Sequence, residues 1–452
     1  MNAPTSRRSA AARGPAIALF TRDLRVDDNP VLDAAQRTGT SVTPLFVLDD
    51  GIIARFGAPN RIRFLIAALT ELDAELHDLG SHLVVRRGDT VAETARIAEQ
   101  IGARAVHVAA DVSAYSAHRE QRLRDRLADL GCDLHTHGES VTTVDPAALR
   151  PSGGGEHFAV FTPYFRRWIE FHRRTPIPAP ADLATPPVPA GHLPDAAELC
   201  RESGSPHLSL GGAATGRKLL HQWASGAIEG YEQRNDALDA DATSHLSPYL
   251  HFGCLSPTQV LAAVDPATDD GHAFARQLAW RDFHHQVLAA RPDTAWSDYR
   301  PRDIRWRDDP HAVRAWQDGR TGIPIVDAGL RQLLTEGWMP GRARLIAASF
   351  LTKTLRIDWR IGARHFLRWL VDGDLANNQL NWQWAAGTGT DTRPNRVLNP
   401  LRQAARFDPE GAYVRRWIPE LAELPGATVH RPWRYDIDHA IYPAPIAECV
   451  GM

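Results

Sequence analysis

The sequence predicts an α/β amino-terminal domain followed by a larger all-α domain. Short apolar segments rich in β-formers alternate with helical patterns up to about residue 145. From about residue 211 onward helical patterns dominate, and all 13 tryptophans fall between Trp168 and Trp433. Strands that alternate with helices usually form a parallel, doubly wound sheet, so we expect a Rossmann-like first domain.

The first domain shows five strand-like segments and two clear helix signals. The segments are 16–21, 43–48, 82–86, 105–110 and 132–136. An apolar stripe from Ile62 to Leu79 predicts a helix that stops at Gly80. Thr90 and Glu93 have the spacing of a capping box, which predicts that another helix opens there. Together these elements predict a five-stranded parallel sheet.

Three charged residues stand where the predicted strands end. Arg22 and Asp23 follow the first strand, and Asp111 follows the fourth. In a doubly wound sheet the ligand crevice lies at the carboxyl ends of the strands, so we expect all three side chains to line it. The alternative for Arg22 and Asp23 is an ion pair within their loop.

The chain divides into four parts by composition. Residues 1–14 have a twin arginine without a following apolar run, which predicts a disordered extension and not a signal. The α/β domain covers 15–145. Residues 146–210 form a proline-rich connector, with a segment at 157–168 that is apolar enough to dock. The helical domain covers 211–452.

Composition sets limits on location and partners. No apolar run approaches the length of a membrane span, and the four cysteines lack metal spacing, so we expect a cytoplasmic protein without a metal site. Net charge is −3, yet 342–416 holds 13 Arg/Lys against 6 Asp/Glu, a local excess of seven. Such a patch suits phosphate binding, although a charge run is more often a solvated face.

The stretch DGDLANNQLNWQWAAGTGTD at 372–391 is the most informative part of the chain. It places Asp372 and Asp374, two amides and two indoles within thirteen residues. If the stretch is helical, Asn378 and Trp382 stand four residues apart on one face. Buried polar groups are costly without partners, so this cluster predicts a wall that holds a polar, planar ligand.

This tract resembles the flavin-binding signature of the DNA photolyase/cryptochrome family. Other segments resemble the family in the same order, over roughly 15–435: FTRDLRVDDNPVL at 20–32, TSHLSPYLHFG at 243–253, WRDF at 280–283, TGIPIVDAGLRQLLTEGWM at 321–339 and ASFLTKTLRIDWRIG at 348–362. The resemblance implies an α/β antenna-binding domain, a helical FAD-binding domain and light-driven repair of cyclobutane pyrimidine dimers. An electron would pass from excited reduced FAD to a dimer flipped out of the DNA.

The resemblance also implies a set of FAD-binding positions. They are Tyr231, Thr243, Ser244, Leu246, Ser247, Gln277, Arg281, Arg344, Asp372, Asp374 and Asn378. Within this set, the hydroxyls of the 243–247 turn would bind the pyrophosphate and Arg344 would pair with Asp372. Asp374 would meet the flavin or ribose edge. Asn378 would accept a hydrogen bond from flavin N5–H and so favour reduced flavin.

Further positions correspond to the electron path, the DNA site and an antenna. Trp382, Trp359 and Trp306 match the three tryptophans that pass electrons inward to the flavin. The DNA-contacting positions would be Gln277, Trp280, Gly341, Arg342, Trp384 and Gln403. Arg22, Asp23 and Asp111 match positions around a second chromophore, either 8-hydroxy-5-deazaflavin, which we favour, or methenyltetrahydrofolate. UV-damaged DNA would be the partner of a monomeric enzyme.

Three positions depart from the pattern of cyclobutane photolyases. Gln277 stands where a glutamate is usual, Gly341 replaces an asparagine and Leu345 a methionine. The paired histidines that the resemblance would require for (6-4) repair are missing from WMPGRARL. Two alternatives stay open: a cryptochrome-type photosensor, and a DNA-binding flavoprotein with weak or no repair activity.

Overall fold

The computed structural model describes residues 13–390, 392–435 and 437–448. The predicted extension at 1–14 therefore lies outside the described residues except for its last two. The predicted fold class is confirmed: a five-stranded sheet is followed by a part of the chain that is almost entirely helical.

The sheet is parallel throughout and has the strand order β3-β2-β1-β4-β5. The strands are β1 Ala16–Phe20, β2 Val42–Asp49, β3 Val84–Gly88, β4 Ala105–Ala109 and β5 Asp133–His137. The strand order reverses between β1 and β4, so the crevice that such sheets use for ligands opens beyond the ends of these two strands.

Helices cover both faces of the sheet. They are α1 Pro30–Thr38, α2 Asp50–Phe56, α3 Pro59–Asp78, α4 Thr90–Ile101 and α5 Ala114–Ala128. Along β1, Ala16, Ala18 and Phe20 pack in the core that includes α1 and α3, whereas Ile17 and Leu19 pack in the core under α4 and α5. This alternation is the period-two signature of a strand buried on both sides.

The predicted capping box is wrong by one residue. Asp89, not Thr90, caps α4, and its carboxylate accepts a hydrogen bond from the backbone N–H of Ala92. The Thr90 hydroxyl instead donates to Oδ2 of Asp49 at the end of β2, 2.7 Å away. A tertiary partner 41 residues away therefore decides where the helix begins.

The proline-rich connector lies along the α/β domain. It contains α6 Phe161–Glu170 and the short α7 Ala196–Leu199. Its backbone carbonyls at Ala184 and Ala190 accept hydrogen bonds from the N–H groups of Val42 and Val85 at 2.8 and 2.6 Å. The boundaries at 146 and 210 stay a prediction, but the connector is fixed to the sheet along part of its length.

The helical part begins at residue 213. Its helices are α8 Ala213–Gln222, α9 Tyr231–Arg234, α10 Ser247–Phe252, α11 Pro257–Ala262, α12 Asp269–Ala290, α13 Pro310–Gln317, α14 Pro324–Glu336, α15 Gly341–Ser349, α16 Trp359–Trp369, α17 Leu375–Ala386, α18 Pro400–Phe407 and α19 Ala412–Trp417. Irregular turns are π-helical at Trp223–Ala227 and Phe350–Thr354, and 3-10 at Pro292–Ala295, Pro419–Leu421, Gly426–His430 and Pro432–Arg434. Within the described ranges, no helix has the length and apolar character needed to span a bilayer.

Helix α12 joins the two domains. Oδ2 of its buried Asp282 accepts hydrogen bonds from the backbone of Thr143 and Val144, which follow β5, and from the indole of Trp168 on α6, all within 3.1 Å. One apolar core runs from the sheet through α3 to α10 and α12. The carboxyl edge of the sheet is therefore fixed against the helical domain.

Candidate flavin and DNA site

The tract at 372–390 forms the turn into helix α17 and the helix itself. Asp374 caps the helix, with Oδ1 accepting hydrogen bonds from the backbone and the side-chain amide of Asn377, each at 2.8 Å. Helix α17 then places Asn378 and Trp382 one turn apart, and both are buried. The predicted shared face is therefore present. Asp391, the last residue of the tract, lies outside the described residues.

Asp374 also joins the helical domain to the α/β domain. Its Oδ2 lies 2.7 Å from Nη2 of Arg22, which follows β1, and 3.4 Å from Nε2 of His285 on α12. Arg22 in turn contacts Asp111 after β4 at 3.3 Å. Burial raises the pKa of Asp374, but its interactions with His285 and Arg22 outweigh burial and hold that pKa well below its usual range.

Asn378 presents an oriented hydrogen-bond acceptor. Its Nδ2 donates to the backbone carbonyl of Ala363 on α16 at 3.1 Å and to Oε1 of Gln379 at 3.0 Å. The amide orientation is assigned from this network. Within the described part of the chain, Oδ1 has no hydrogen-bond partner, so it is the atom available to a ligand. An open acceptor on Asn378 is what the predicted contact with flavin N5–H needs; the contact itself stays a prediction.

Arg344 and Asp372 form the ion pair that the resemblance implied. Arg344 Nη2 lies 2.8 Å from Oδ2 of Asp372, while its Nε donates to the carbonyl of Met339 at 2.9 Å. Oδ1 of Asp372 is buried without a hydrogen-bond partner among the described residues. The pair therefore offers one further acceptor beside a fixed positive charge.

The polar turn before α10 provides hydroxyl groups. The buried Thr243 Oγ1 has no partner among the described residues, whereas Ser247 Oγ accepts a hydrogen bond from the indole of Trp338 at 3.2 Å. Ser244 lies in the same turn, and Leu246 is buried as its apolar base. His245 between them adopts a positive φ of 53° and its ring lies 4.1 Å from that of Trp338. Strained backbone of this kind concentrates at ligand sites.

These residues fit FAD by the chemistry of their open atoms. Buried polar atoms normally have partners. Thr243 Oγ1, Asp372 Oδ1 and the indole nitrogen of Trp382 have none among the described residues, although all three lie in segments that resemble the family's flavin site. Hydroxyl, carboxylate and indole N–H groups match the phosphate, ribose and ring edge of a flavin dinucleotide.

Two other predicted FAD contacts have protein partners in this structure. Arg281 on α12 donates to the backbone carbonyls of Val141 and Leu250 at 2.6 and 3.3 Å, so its guanidinium ties the domains together. Tyr231 is buried edge-to-face against Trp223, with ring centroids 5.3 Å apart. Their contact with a cofactor stays a prediction.

The three tryptophans of the predicted electron path differ in exposure. Trp382 and Trp359 are fully buried, whereas Trp306 is half-buried. The Trp359 indole donates to Oδ1 of Asp298 at 2.8 Å, and Arg360 covers its ring at 4.7 Å. This gradient from buried to accessible is the arrangement expected of a path that ends at the surface.

The packing of α16 on α17 fixes the ring of Trp382. At Gly362 a Cβ would lie 2.1 Å from Cη2 of Trp382, so only glycine fits. Phe366, one turn later, packs edge-to-face on the same indole at 4.8 Å. The indole is therefore held by close contact and not by a hydrogen bond from its nitrogen.

The predicted DNA-contacting aromatics lie on two helices. Trp280 on α12 is stacked face-to-face on Phe161 of α6, with centroids 3.7 Å apart and planes 4° apart. Gln277, one turn earlier, is exposed. Trp384 on α17 is half-buried beneath the guanidinium of Arg396 at 5.2 Å.

Three further DNA-contacting positions are brought together by the fold. Arg342 forms an ion pair with Asp236, contacts Oε1 of Gln403 at 3.4 Å and lies over the ring of Phe407 at 4.4 Å. The neighbouring Gly341 faces open space, because nothing lies within 4 Å of where its Cβ would stand. The side-chain amide expected at this position is absent, and room for it remains.

A cavity of about 300 Å³ opens between the sheet and α12. Of the three predicted antenna residues, only Asp111 is among its described lining residues, with His285, Gln286 and Thr142. Arg22 faces Asp111 and Asp374 instead. Asp23 is fully buried, and its Oδ1 accepts a hydrogen bond from the backbone of Thr21. The expectation that all three line the crevice therefore holds for Asp111, while Asp23 closes its own loop.

Several residues at the site were not identified from the sequence. His285 could have been found from its i,i+4 spacing to Arg281 on α12, which places both on the face toward the sheet. Asp298 and Phe161 carry no such local signal, because each contacts a tryptophan more than 60 residues away. Among the described residues, no cluster of side chains suitable for a metal ion is present.

The fold and the site define a two-part flavoprotein, in which an α/β domain abuts a helical domain with a cofactor site. Residues 16–181 match the family model "DNA photolyase", and residues 274–450 match "FAD binding domain of DNA photolyase". The chain belongs to the DNA photolyase family. Its helical part is accordingly an FAD-binding domain.

Similar proteins extend the match over nearly the whole chain. A Streptomyces griseus protein named deoxyribodipyrimidine photo-lyase is 55% identical over 439 residues, 96% of each chain. The crystal structure of a bacterial class III photolyase from Agrobacterium tumefaciens has a TM-score of 0.89 at 31% identity and covers 98% of this chain and 96% of its own. A Synechocystis cryptochrome structure has a TM-score of 0.88 at 29% identity, with coverage of 96% and 97%.

Proposed function

We propose that this protein repairs cyclobutane pyrimidine dimers in DNA with blue light and reduced FAD. The 55% identity to a deoxyribodipyrimidine photo-lyase over almost the full length favours a repair enzyme over a photosensor. The observation on the site that carries the proposal is the amide of Asn378. Its N–H donors are occupied by Ala363 and Gln379, so Oδ1 is the atom left to accept a hydrogen bond from a cofactor.

The flavin, when bound, supplies the electron that splits the dimer. The chain's own residues determine how that cofactor is held. The Asn378 carbonyl would accept a hydrogen bond from the N–H of a flavin ring nitrogen, which favours the reduced form. The ion pair with Asp372 fixes the position of the positively charged Arg344 guanidinium. Protein dipoles and charges fixed in advance need no rearrangement during the reaction.

The DNA site would bind a dimer that has left the helix. Flipping costs a few kcal/mol and least at a damaged base, so the lesion itself contributes selectivity. Trp280 and Trp384 provide aromatic surfaces, and stacking contributes about 1–3 kcal/mol per base. Arg342 would contact a phosphate. The exposed Gln277 offers an amide to a base edge without adding negative charge.

A second chromophore fits the cavity between the sheet and α12. Asp111 and the backbone beyond β4 and β5 line it, and its volume of about 300 Å³ suits a pterin or a deazaflavin ring system. We keep 8-hydroxy-5-deazaflavin as the favoured occupant and methenyltetrahydrofolate as the alternative. A monomer located in the cytoplasm remains our proposal for the state of the protein.

The test is a lesion assay on purified, pre-reduced protein. One oligonucleotide carries a cyclobutane thymine dimer and another a (6-4) product, each in blue light and in darkness. Light-dependent loss of the cyclobutane dimer alone supports the proposal. Flavin binding without repair of either lesion rejects it in favour of a photosensor or a binding-only relative.

The variant Gly341→Asn separates lesion recognition from chemistry. The asparagine side chain has room at this position, and it restores the amide that the pattern of cyclobutane photolyases has there. We expect tighter binding to the dimer, with an unchanged yield per absorbed photon. Unchanged affinity in this variant shows that residue 341 does not contact the lesion.

A further inference from the structure

A cavity of about 460 Å³ opens beside the outermost tryptophan of the electron path. Its described lining comes from three segments: the loop before α13, the π-helical turn with the residues after it, and the end of α17 with the loop beyond. The lining residues are Arg302, Asp303, Ile304, Trp306, Thr352, Lys353, Arg356, Ala386 and Asn395. The cavity is therefore built by the elements that carry the path itself.

The described lining has an excess of positive charge. Arg302, Lys353 and Arg356 stand against a single carboxylate, Asp303. Lys353 is fixed by hydrogen bonds from Nζ to the carbonyls of Ala386 and Pro394 at 2.7 and 2.8 Å. A concave surface lined by one sign of charge concentrates ions of the opposite sign. The charges of the described lining therefore favour anions over cations.

Lys353 depends on a glycine at the neighbouring position 387, because a side chain there would take the space that the ammonium occupies. Gly387 has a φ of +82°, and a Cβ there would lie 2.2 Å from the Pro394 carbonyl and 2.9 Å from Lys353 Nζ. The only other lysine in the chain is Lys218. The ammonium is therefore a fixed part of the cavity wall.

Trp306 must be re-reduced from outside the chain if it ends the electron path. No other described lining residue is a tyrosine, tryptophan or cysteine that could supply an electron. Oxidised tryptophan carries a positive charge, which the surrounding cations disfavour. An anion in the cavity would offset that repulsion and place a donor beside the indole.

We propose that this cavity is a docking site for a small anionic one-electron reductant, such as an ene-diol acid. The inference rests on the proposed function, because it takes Trp306 as the end of the path. In the step, the oxidised Trp306 indole gains one electron and becomes neutral. The bound monoanion loses one electron and its hydroxyl proton passes to solvent. The volume lies within the range of small-molecule sites.

The experiment follows photoreduction of oxidised holoenzyme in blue light at increasing donor concentration. Ascorbate is the anionic donor and dithiothreitol the neutral one. We expect the rate to saturate with ascorbate and to rise linearly with dithiothreitol. In Arg302→Gln/Arg356→Gln the concentration of ascorbate giving half the maximal rate rises roughly tenfold, and the ratio of ascorbate to dithiothreitol rates falls.

A matched control removes two charges elsewhere. Arg124 and Arg126 are exposed on α5, so Arg124→Gln/Arg126→Gln changes net charge equally and should keep the wild-type ratio. Calorimetric titration of holoenzyme with ascorbate in darkness should give weaker binding for the cavity variant alone. A linear ascorbate dependence, or equal ratios in all three proteins, overturns the docking site.

The variant Trp306→Phe distinguishes failure of the docking site from failure of the electron path on which it rests. If Trp306→Phe stops photoreduction by both donors while the cavity variant behaves as wild type, the docking site fails and the electron path stands. If Trp306→Phe leaves both rates unchanged, the electron path fails, and the docking inference fails with it.

Discussion

Arg22 Nη2 lies 2.7 Å from Oδ2 of Asp374, and this ion pair joins the end of β1 to the residue that caps α17. The two residues are 352 positions apart in the chain. Because α17 carries Asn378 and Trp382, the position of these two side chains depends directly on the α/β domain. Both side chains are largely buried, so removing either one leaves the other with fewer partners: Asp111 for Arg22 and His285 for Asp374.

A double-mutant cycle should measure this coupling. We expect Arg22→Met and Asp374→Asn to show a coupling free energy of about 1–3 kcal/mol in urea unfolding. Asparagine keeps the capping function of residue 374, so the cycle isolates the charge pair. The matched control is the exposed pair Arg37–Asp33 on α1, for which we expect about 0.3–0.5 kcal/mol. Additive effects at 22 and 374 would show that the domains are held by packing alone.

Replacing Asn378 with serine should make the reduced flavin less stable towards oxidation. The shorter side chain cannot reach both Ala363 and the ligand, so the oriented acceptor is lost. We expect faster reoxidation of the flavin in air, followed by absorbance. Asn381→Ser is the control, because Asn381 is exposed on the same helix. If both variants reoxidise at the wild-type rate, Asn378 does not contact the reduced ring.

Replacing Trp382 with phenylalanine should block photoreduction of oxidised flavin while leaving repair by pre-reduced enzyme intact. Phenylalanine fills most of the space but is far harder to oxidise. The control is Trp316→Phe, since Trp316 is equally buried and packs on Trp382 with centroids 5.9 Å apart. Normal photoreduction in Trp382→Phe would remove this residue from the path.

Gly362→Ala should destabilise the protein and loosen its flavin. The new methyl group would lie 2.1 Å from Trp382, so α16 and α17 must separate. Overpacking of this kind costs about 1–3 kcal/mol. Gly341→Ala, at the first residue of α15, makes the same change in open space and should leave stability unchanged or raise it by about 0.4–1 kcal/mol. Thermal unfolding of both variants gives the comparison, and equal melting temperatures would contradict the contact.

Acid should destabilise the helical domain through His365. Burial beside Trp316 lowers the pKa of His365 to about 4, below its ordinary 6.5, so the folded state holds the neutral ring. The unfolded chain takes up the proton first. Stability from this group is complete above pH 6.5 and falls by up to about 1.4 kcal/mol per pH unit as the pH drops toward 4.

The variant His365→Phe tests the assignment because it cannot titrate. Its unfolding free energy should fall less steeply than that of the wild type between pH 7 and 5, measured in urea. Parallel curves for the two proteins would assign the acid sensitivity to other groups.

The strands and the fold class were predictable because β-rich apolar runs alternate with helical stripes. Strand ends moved by up to two residues, as at β3, where the prediction began at 82 and the strand begins at Val84. The predicted start of α4 was one residue too late, because the Thr90 hydroxyl donates a hydrogen bond to Asp49 and does not cap the helix. Local patterns identify elements, while tertiary partners set their ends.

The residues of the site likewise divide into those that the sequence could predict and those that depend on tertiary contacts. Asn378 and Trp382 were predictable as neighbours because helical spacing relates them. The pairing of Arg344 with Asp372 followed from resemblance. The link from Arg22 to Asp374 was not predictable, since both were assigned to different ligands and only the docking of the domains brings them together. The stacking of Trp280 on Phe161 depends likewise on how the connector folds back.

Arg342 is held in place by contacts with Asp236, Gln403 and Phe407. A free arginine side chain samples many rotamers, and fixing a side chain at an interface costs about 0.5–1.5 kcal/mol in conformational entropy. Here that entropy is lost when the protein folds. If Arg342 contacts a phosphate of DNA, as we propose, its guanidinium is pre-organised for that contact, and binding exchanges one anionic partner for another.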